Sequence, residues 1–246
     1  MTSTSRPSCA TDSVRVRRVT TTRAGGVSVA PYDTFNLGDH VGDDPHAVAA
    51  NRIRLAEAIG LPADRVVWMN QVHSDRVAVV DGPRSEPVDD VDALVTAVPR
   101  LALAVVTADC VPVLMSDARA GVIAAAHAGR VGAANGVVLR TLEAMLAQGA
   151  HVTDISVLLG PAVSGANYEV PEEMAADVET RLPGSRTTTP RGTPALDLRA
   201  GIARQLLAAG VEAIGIDPRC TVADTALFSH RRGSPTGRLA SLVWMQ

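Results

Sequence analysis

The sequence lacks several features that would mark common classes of protein. It contains no lysine, and all 23 basic residues are arginine, which we attribute to a GC-rich genome rather than to a function. Aromatic residues make up only 2% of the chain, so we expect a core built from alanine, valine, leucine and isoleucine. The net charge of −3 and the lack of a basic run interleaved with aromatics argue against a nucleic-acid partner.

Long apolar runs and a set of paired cysteines are also missing. No segment approaches the roughly 20 apolar residues that a transmembrane helix needs, so we expect no membrane partner. The first residues, MTSTSRPSCATDS, contain no apolar signal-peptide core. Three cysteines, Cys9, Cys110 and Cys220, are too few for a disulfide framework, and their odd number fits a reducing, cytoplasmic location.

The remaining pattern predicts one α+β domain. Hydrophobic residues make up 46% of the 246 residues, enough for one large core, so we predict a disordered tail over 1–13 and a single domain over 14–246. Apolar periodicity predicts more strands than helices. The predicted strands are 14–23, two pieces within 65–81, 93–97, 101–108, 122–127, 155–160 and 238–245. The predicted helices are 46–60, 131–150, 170–182 and 197–210, the last with Asp197 as N-cap.

Three reactive side chains stand at the ends or bends of predicted strands. The run LALAVV leads into Asp109 and Cys110, VIAAA ends on His127, and His73 lies in NQVHSDRV. The spacings of 37 and 17 residues match no zinc finger, but two histidines and one cysteine form a sensible open zinc set. Copper also accepts these ligands, and without a metal Cys110 and a histidine form a nucleophile pair. The structural alternative is a buried thiol and hydrogen-bonded core histidines.

Arginines beside glycine-rich loops form a second, weaker pattern. Arg23 precedes a glycine pair in TTTRAGG, and Arg231, Arg232 and Arg238 lie in FSHRRGSPTGR. Guanidinium groups on such backbone suit a phosphate or carboxylate ligand, although the pattern by itself favours a solvated basic loop. The segment HAGRVG satisfies neither a P-loop nor a dinucleotide-binding fingerprint. Asp109 is a candidate acid or base, or a turn cap.

Taken together, these motifs resemble a known family. The blocks TTTRAGGVS, PYDTFNLGDHVGDD, NQVHSDRV, DALVT, TADCVPVLM, AAHAG, LLGPAVSGANYEV and FSHRRGSPTGR occur in the order typical of YfiH-type proteins. These are called the multicopper polyphenol oxidase (laccase-domain) family, purine nucleoside phosphorylases with that domain, or peptidoglycan editing factors. The resemblance runs from about Thr20 to the C-terminus and implies a four-layer α/β/β/α fold with mixed sheets.

The resemblance also implies a site. It makes His73, Cys110 and His127 the ligands of a metal, usually zinc, with copper as the alternative. Cys110 and His127 are then the candidate catalytic residues, together with Asp109, the acid or base candidate next to Cys110. The candidate substrate-binding residues are Arg23, Asn36, Gln71, Arg130 and Arg231.

Two departures from the family pattern concern substrate contacts. The usual HAGWRG is HAGRVG here, with Arg130 in the tryptophan position and Val131 in the arginine position. The usual FSYRR is FSHRR, with His230 in the tyrosine position. A phosphate contact and an aromatic or hydroxyl contact are therefore expected to differ.

Four functions follow as hypotheses. The resemblance favours a zinc-dependent purine nucleoside phosphorylase for adenosine, inosine, guanosine and methylthioadenosine, with adenosine deaminase activity, acting as a monomer or homodimer on nucleoside and phosphate. The alternative is an amidase that removes serine from UDP-N-acetylmuramyl-L-serine. A copper polyphenol oxidase needs more imidazole ligands than six histidines readily supply. The fourth hypothesis is a non-enzymatic protein that binds a metal or a partner.

Overall fold

Two mixed β-sheets form the centre of the molecule. The computed structural model describes residues 14–246, so Cys9 and the predicted tail lie outside the described residues. The strands are β1 (Val16–Thr20), β2 (Val66–Val67), β3 (Val77–Val79), β4 (Ala93–Thr96), β5 (Ala102–Thr107), β6 (Val111–Asp117), β7 (Val122–Ala128), β8 (Ile155–Leu159), β9 (Arg186–Thr188), β10 (Pro194–Leu196), β11 (Ala213–Ile216) and β12 (Leu239–Met245). The helices are α1 (Pro45–Ile59), α2 (Arg130–Ala134), α3 (Val137–Ala147), α4 (Glu172–Arg181) and α5 (Leu198–Ala208).

The sheets differ in size but both mix parallel and antiparallel pairs. The smaller sheet has the order β1-β12-β5-β2, with only β2 and β5 parallel. The larger sheet has the order β11-β8-β6-β7-β4-β3, with parallel pairs at its two edges. Strands β9 and β10 form a separate antiparallel hairpin.

Residue alternation along the strands builds four layers. In β5, Ala104 and Val106 pack in the cluster that contains Leu55 of α1, whereas Leu103 and Val105 pack against the larger sheet. In β7, every second side chain faces the smaller sheet, and the side chains between them face helices α3, α4 and α5. Period-two side-chain placement therefore makes every central strand apolar on both faces. The predicted α/β/β/α arrangement is confirmed.

Local signals located some helix ends correctly and missed other elements. Gly60 ends α1 in the left-handed conformation with φ 72°, and the Asp197 carboxylate accepts a hydrogen bond from the Ala200 amide at 3.1 Å. The helix predicted over 131–150 is instead two helices, because Gly136 adopts φ 91° between them. Strand β6, the β9–β10 hairpin and β11 were not predicted as strands.

Strand register brings the reactive residues together. Strands β6 and β7 are antiparallel, so the end of β7 lies beside the start of β6, with Val111 opposite Ala128. Cys110 precedes β6 and His127 lies near the end of β7. Strand β4 pairs on the other side of β7, with Ala93 opposite Ala126, which puts Asp92 beside His127. The His127 amide donates to the Asp92 carbonyl at 2.7 Å.

Candidate active site and metal centre

Three side chains converge at the ends of strands β6 and β7. Ligand atoms of His73, Cys110 and His127 all lie within 4.8 Å of one another, a spacing that a single metal ion can bridge. The Sγ atom of Cys110 lies 3.9 Å from Nε2 of His73, and the two imidazole rings are perpendicular with centroids 4.7 Å apart. His127 is buried, Cys110 is half-buried and His73 is exposed, so the cluster opens to solvent on one side.

A buried carboxylate stands directly behind two members of the cluster. Oδ1 of Asp92 accepts hydrogen bonds from Nδ1 of His127 at 2.8 Å and from the His73 amide at 3.0 Å. Oδ2 accepts from the amide and the hydroxyl of Ser74 at 2.6 and 2.8 Å, and from the Val72 amide at 3.2 Å. Asp92 is fully buried. Because Nδ1 of His127 is engaged, Nε2 is the nitrogen left for the site.

The protonation states follow from these contacts. Burial by itself would raise the pKa of Cys110, but the positive charge of His127 and hydrogen bonds from His127 and His73 lower it to about 6. Burial would lower the pKa of His127, whereas the charges of Cys110 and Asp92 and their hydrogen bonds raise it to about 9. Near neutral pH the metal-free site therefore holds the Cys110 thiolate next to the His127 imidazolium, which in turn contacts the Asp92 carboxylate.

The backbone around the cluster is constrained. His73 and Asp109 adopt positive φ angles of 60° and 94°, which residues with side chains rarely occupy. A Cβ atom on Gly129 would lie 2.7 Å from Cδ2 of His73 and 3.1 Å from Sγ of Cys110. Only glycine fits between these two side chains without movement. The glycine of the HAG motif is therefore part of the site's geometry.

A cavity of about 640 Å³ opens above the cluster. Three arginines, Arg130, Arg231 and Arg238, line it. Within residues 14–246 none of the three forms an ion pair with a carboxylate side chain, unlike Arg23, whose Nη2 lies 2.9 Å from Asp33. Unpaired guanidinium groups on a concave wall favour an anionic ligand.

Two of the three wall arginines are held by backbone or aromatic contacts. Arg231 donates to the Glu169 carbonyl at 2.9 Å, and its guanidinium carbon lies 4.8 Å from the centroid of the Tyr168 ring. Arg238 donates through Nη1 to the carbonyls of Thr236 and Gly237 at 3.0 and 3.2 Å. These contacts restrict the side chains and leave other guanidinium N–H groups for a ligand.

Several residues predicted from the sequence line this cavity. Gln71 is fixed by two hydrogen bonds of 2.8 Å to the backbone of Val106. Both carboxylate oxygens of Asp109 are engaged, because Oδ1 accepts from the Thr221 hydroxyl at 2.6 Å and Oδ2 from the Arg231 amide at 2.7 Å. Asp109 therefore anchors the loop that carries Arg231 as well as bordering the cavity.

Two of the predicted substrate-binding residues lie elsewhere. Arg23 borders a separate cleft of about 410 Å³ and donates to the side chain and carbonyl of Asp33. Asn36 is fully buried, and its Oδ1 accepts from the amides of Gly38 and Arg238 at 3.0 and 2.8 Å. The structure therefore places Asn36 behind the wall, where it fixes the backbone of Arg238.

Other residues of the site were assigned no specific role from the sequence. Asp92 lies in the DALVT block, where a single carboxylate before a strand is indistinguishable from a turn residue. Tyr168 and His40 line the cavity from distant loops, as do Arg238 and His230 of the FSHRRGSPTGR motif singled out in the sequence. Cys220, the other described cysteine, lies outside this wall and accepts hydrogen bonds from Ser164 and Asn167 at 3.3 Å.

The fold and the site together define a four-layer α/β/β/α protein with an open His₂Cys cluster at the ends of central strands. The chain belongs to the family described as multi-copper polyphenol oxidoreductase laccase, which matches residues 17–246. This confirms the resemblance found in the sequence motifs.

Relatives and solved structures agree with this family. The chain is 75% identical over 234 residues to a Mycobacterium tuberculosis protein named purine nucleoside phosphorylase, covering 95% of this chain and 94% of the relative. A Corynebacterium glutamicum protein of the same name is 59% identical over 232 residues, covering 94% of each. The structure of YlmD from Geobacillus stearothermophilus is similar, with a TM-score of 0.88, 34% identity, and coverage of 94% of this chain and 92% of that one. A Bacillus licheniformis protein, YfiH, has a TM-score of 0.87 and 30% identity, with 94% and 93% coverage.

None of the helices in residues 14–246 combines the length and the hydrophobicity that crossing a membrane requires.

Proposed function

We propose that the chain is a zinc-dependent purine nucleoside phosphorylase with one catalytic domain over 14–246, acting in the cytoplasm as a monomer or homodimer. The observation that carries the proposal is the convergence of His73, Cys110 and His127 beneath a cavity with three unpaired arginines. The names of relatives that are 75% and 59% identical support the same activity. Adenosine, inosine, guanosine and methylthioadenosine are the proposed substrates, and adenosine deamination is the proposed second reaction.

The side chains fit a zinc ion. Two imidazoles and a thiolate are ligands that zinc prefers, and three protein ligands leave a position for water or substrate, as in catalytic zinc sites. The lowered pKa of Cys110 supplies the anionic ligand near neutral pH. When bound, zinc supplies Lewis-acid activation of water or substrate. Copper is compatible with the same donors, but the three clustered ligands are far fewer than several copper ions would need.

Phosphorolysis assigns the arginines a specific task. A phosphate oxygen forms a bond to the anomeric carbon while the glycosidic carbon–nitrogen bond breaks, and the purine takes the electron pair and a proton. Arg130, Arg231 and Arg238 would bind the phosphate and balance its charge as the bond forms. Arg130 begins helix α2, two residues beyond the end of β7, the strand that carries His127. It lines the same cavity as the three candidate metal ligands.

Asp109 is the proposed acid or base of the reaction. Its carboxylate borders the cavity next to Cys110, within reach of a bound nucleoside. Because Oδ2 also accepts the Arg231 amide, removal of this carboxylate would disturb the phosphate wall as well as proton transfer. Gln71 is the proposed neutral contact for the nucleoside, held rigid by the Val106 backbone.

The test is release of hypoxanthine from inosine in the presence of phosphate. Cys110→Ala and His127→Ala should abolish it, and Cys220→Ser, which changes a thiol outside the cavity, should retain it. Ribose 1-phosphate as the co-product identifies phosphorolysis, and free ribose identifies hydrolysis. Elemental mass spectrometry should find zinc in the wild type and not in His73→Ala. Wild-type rates of hypoxanthine release in either alanine variant would refute the assignment. Deamination is tested separately, by the formation of inosine from adenosine.

One observation favours a second candidate, the amidase acting on UDP-N-acetylmuramyl-L-serine. In the metal-free protein Cys110, His127 and Asp92 form a thiolate–imidazole–carboxylate series of the kind that activates a cysteine nucleophile. Serine release by protein stripped of metal, lost in Cys110→Ser, would support the amidase. Serine release that requires zinc would assign the amidase reaction to the metal centre instead of the free thiolate, and the absence of serine release would leave the phosphorylase as the better assignment.

A further inference from the structure

We propose that Asp92 is the positioning residue of the centre, which holds two of the three ligands in binding geometry before a metal arrives. The inference rests on the metal-binding part of the proposed function. The ligands come from segments that are distant in sequence, with His73 in a loop and His127 in a central strand. Apart from the third ligand Cys110, Asp92 is the described side chain that hydrogen-bonds to both of them.

The hydrogen bonds of Asp92 fix different properties of each histidine. At His127 the contact is to the ring, where Oδ1 accepts the Nδ1 proton at 2.8 Å and so leaves Nε2 directed toward Cys110. At His73 the contact is to the backbone, where the carboxylate accepts three successive amides, Val72, His73 and Ser74. This cradle stabilises the left-handed φ of 60° at His73, which points its side chain at the cluster.

An asparagine side chain has the same shape as the Asp92 carboxylate, but it cannot reproduce the hydrogen bonds. All of its described partners are donors, namely three amides, one hydroxyl and one imidazole N–H. In Asp92→Asn the amide NH₂ would face donors in either orientation. If it faces His127, it forces the imidazole proton onto Nε2, the nitrogen that the metal needs. If it faces Ser74, the cradle around His73 loses its acceptor.

The experiment compares Zn²⁺ affinity in matched variants. Asp92→Asn should weaken zinc binding about 10- to 100-fold in competition with a chelating dye, as loss of such outer partners does elsewhere. Asp90→Asn is the control, because it makes the same chemical change two residues away on an exposed side chain. The thiolate-to-metal absorption of the Co²⁺-substituted protein should change in Asp92→Asn and remain in Asp90→Asn. Unchanged zinc affinity and an unchanged cobalt spectrum in Asp92→Asn would overturn the inference.

A second measurement needs no variant and covers the case in which Asp92→Asn fails to fold. In the metal-free wild type, the amides of His73, Ser74 and His127 should exchange with solvent deuterium as slowly as amides of the central strands. Fast exchange that slows only after zinc is added would show that the metal orders the loop, and would overturn the inference. Neither measurement involves a nucleoside. A wild type that binds zinc but cleaves no nucleoside would therefore refute the proposed function, while these two measurements would still decide the role of Asp92.

Discussion

Replacing Gly129 by alanine isolates the steric limits of the candidate centre. Gly129 has φ −71° and ψ 170°, an extended conformation that alanine adopts freely, so the substitution causes no backbone strain. Its added Cβ would lie 2.7 Å from Cδ2 of His73 and 3.1 Å from Sγ of Cys110. Both distances are well below the ordinary contact distance of about 3.5–4.0 Å, so at least one of the two ligands must move.

The size of the effect follows from the cost of overpacking. Inserting a methyl group into a well-packed site costs about 1–3 kcal/mol. If that cost falls on the metal-bound geometry, zinc affinity should fall about 5- to 150-fold, since about 1.4 kcal/mol corresponds to a factor of ten. Thermal stability of the metal-free protein should change much less, because exposed His73 can swing toward solvent when no ion holds it.

The assay is chelator competition for zinc together with hypoxanthine release from inosine, at several zinc concentrations. Gly82→Ala is the control, because a Cβ there meets no atom within 4 Å. Gly129→Ala should recover part of its activity at high zinc, as expected for weakened metal binding. Zinc affinity and activity equal to the wild type would show that His73 is mobile in the bound state and that the cluster is not a preformed site.

Three further outcomes are expected. The first concerns metal-free protein in which the other two cysteines are replaced by serine. The rate of Cys110 alkylation should have its midpoint near pH 6, because the thiolate persists as the pH falls until the lowered pKa is reached. A midpoint near the usual value of about 8.5 would contradict the ion pair with His127. Arg130→Ala should raise the KM for phosphate about tenfold or more through loss of a charge-assisted hydrogen bond of about 1.5–3 kcal/mol, whereas exposed Arg84→Ala should not, and equal effects would argue against Arg130 as a phosphate ligand. Leu103→Ala should cost about 2–5 kcal/mol in urea unfolding because the side chain is fully buried between the sheets; exposed Leu207→Ala is the comparison, and similar losses for both would contradict the layer assignment.

The sequence alone was sufficient wherever the signal was local. Apolar runs ending on Cys110 and His127 identified buried strands that finish on reactive side chains, and capping residues located the ends of α1 and α5. These features depend on neighbours within a few residues, through strand periodicity and helix-end hydrogen bonds. Motif order then identified the family, which a whole-chain match confirmed.

Some elements were missed because their stability comes from pairing rather than composition. Strand β6 begins with Val111 and Pro112 directly after the site and carries no alternation, since both of its faces are buried. The short β9 and β10 strands are polar or contain proline, and their pairing with each other defines them. The interruption of the helix at Gly136 was not predicted either, because the residues on both sides continue a helical pattern.

What the sequence determined by itself was therefore three candidate reactive residues, His73, Cys110 and His127, and, through the family resemblance, the layered architecture. What only the tertiary structure decided was which residues share one site. The register of β4, β7 and β6 puts Asp92 behind His127, and packing of distant loops brings Arg238 to the cavity wall while leaving Arg23 in a neighbouring cleft. Such distances depend on strand pairings between residues far apart in the chain, and local sequence carries no measure of them.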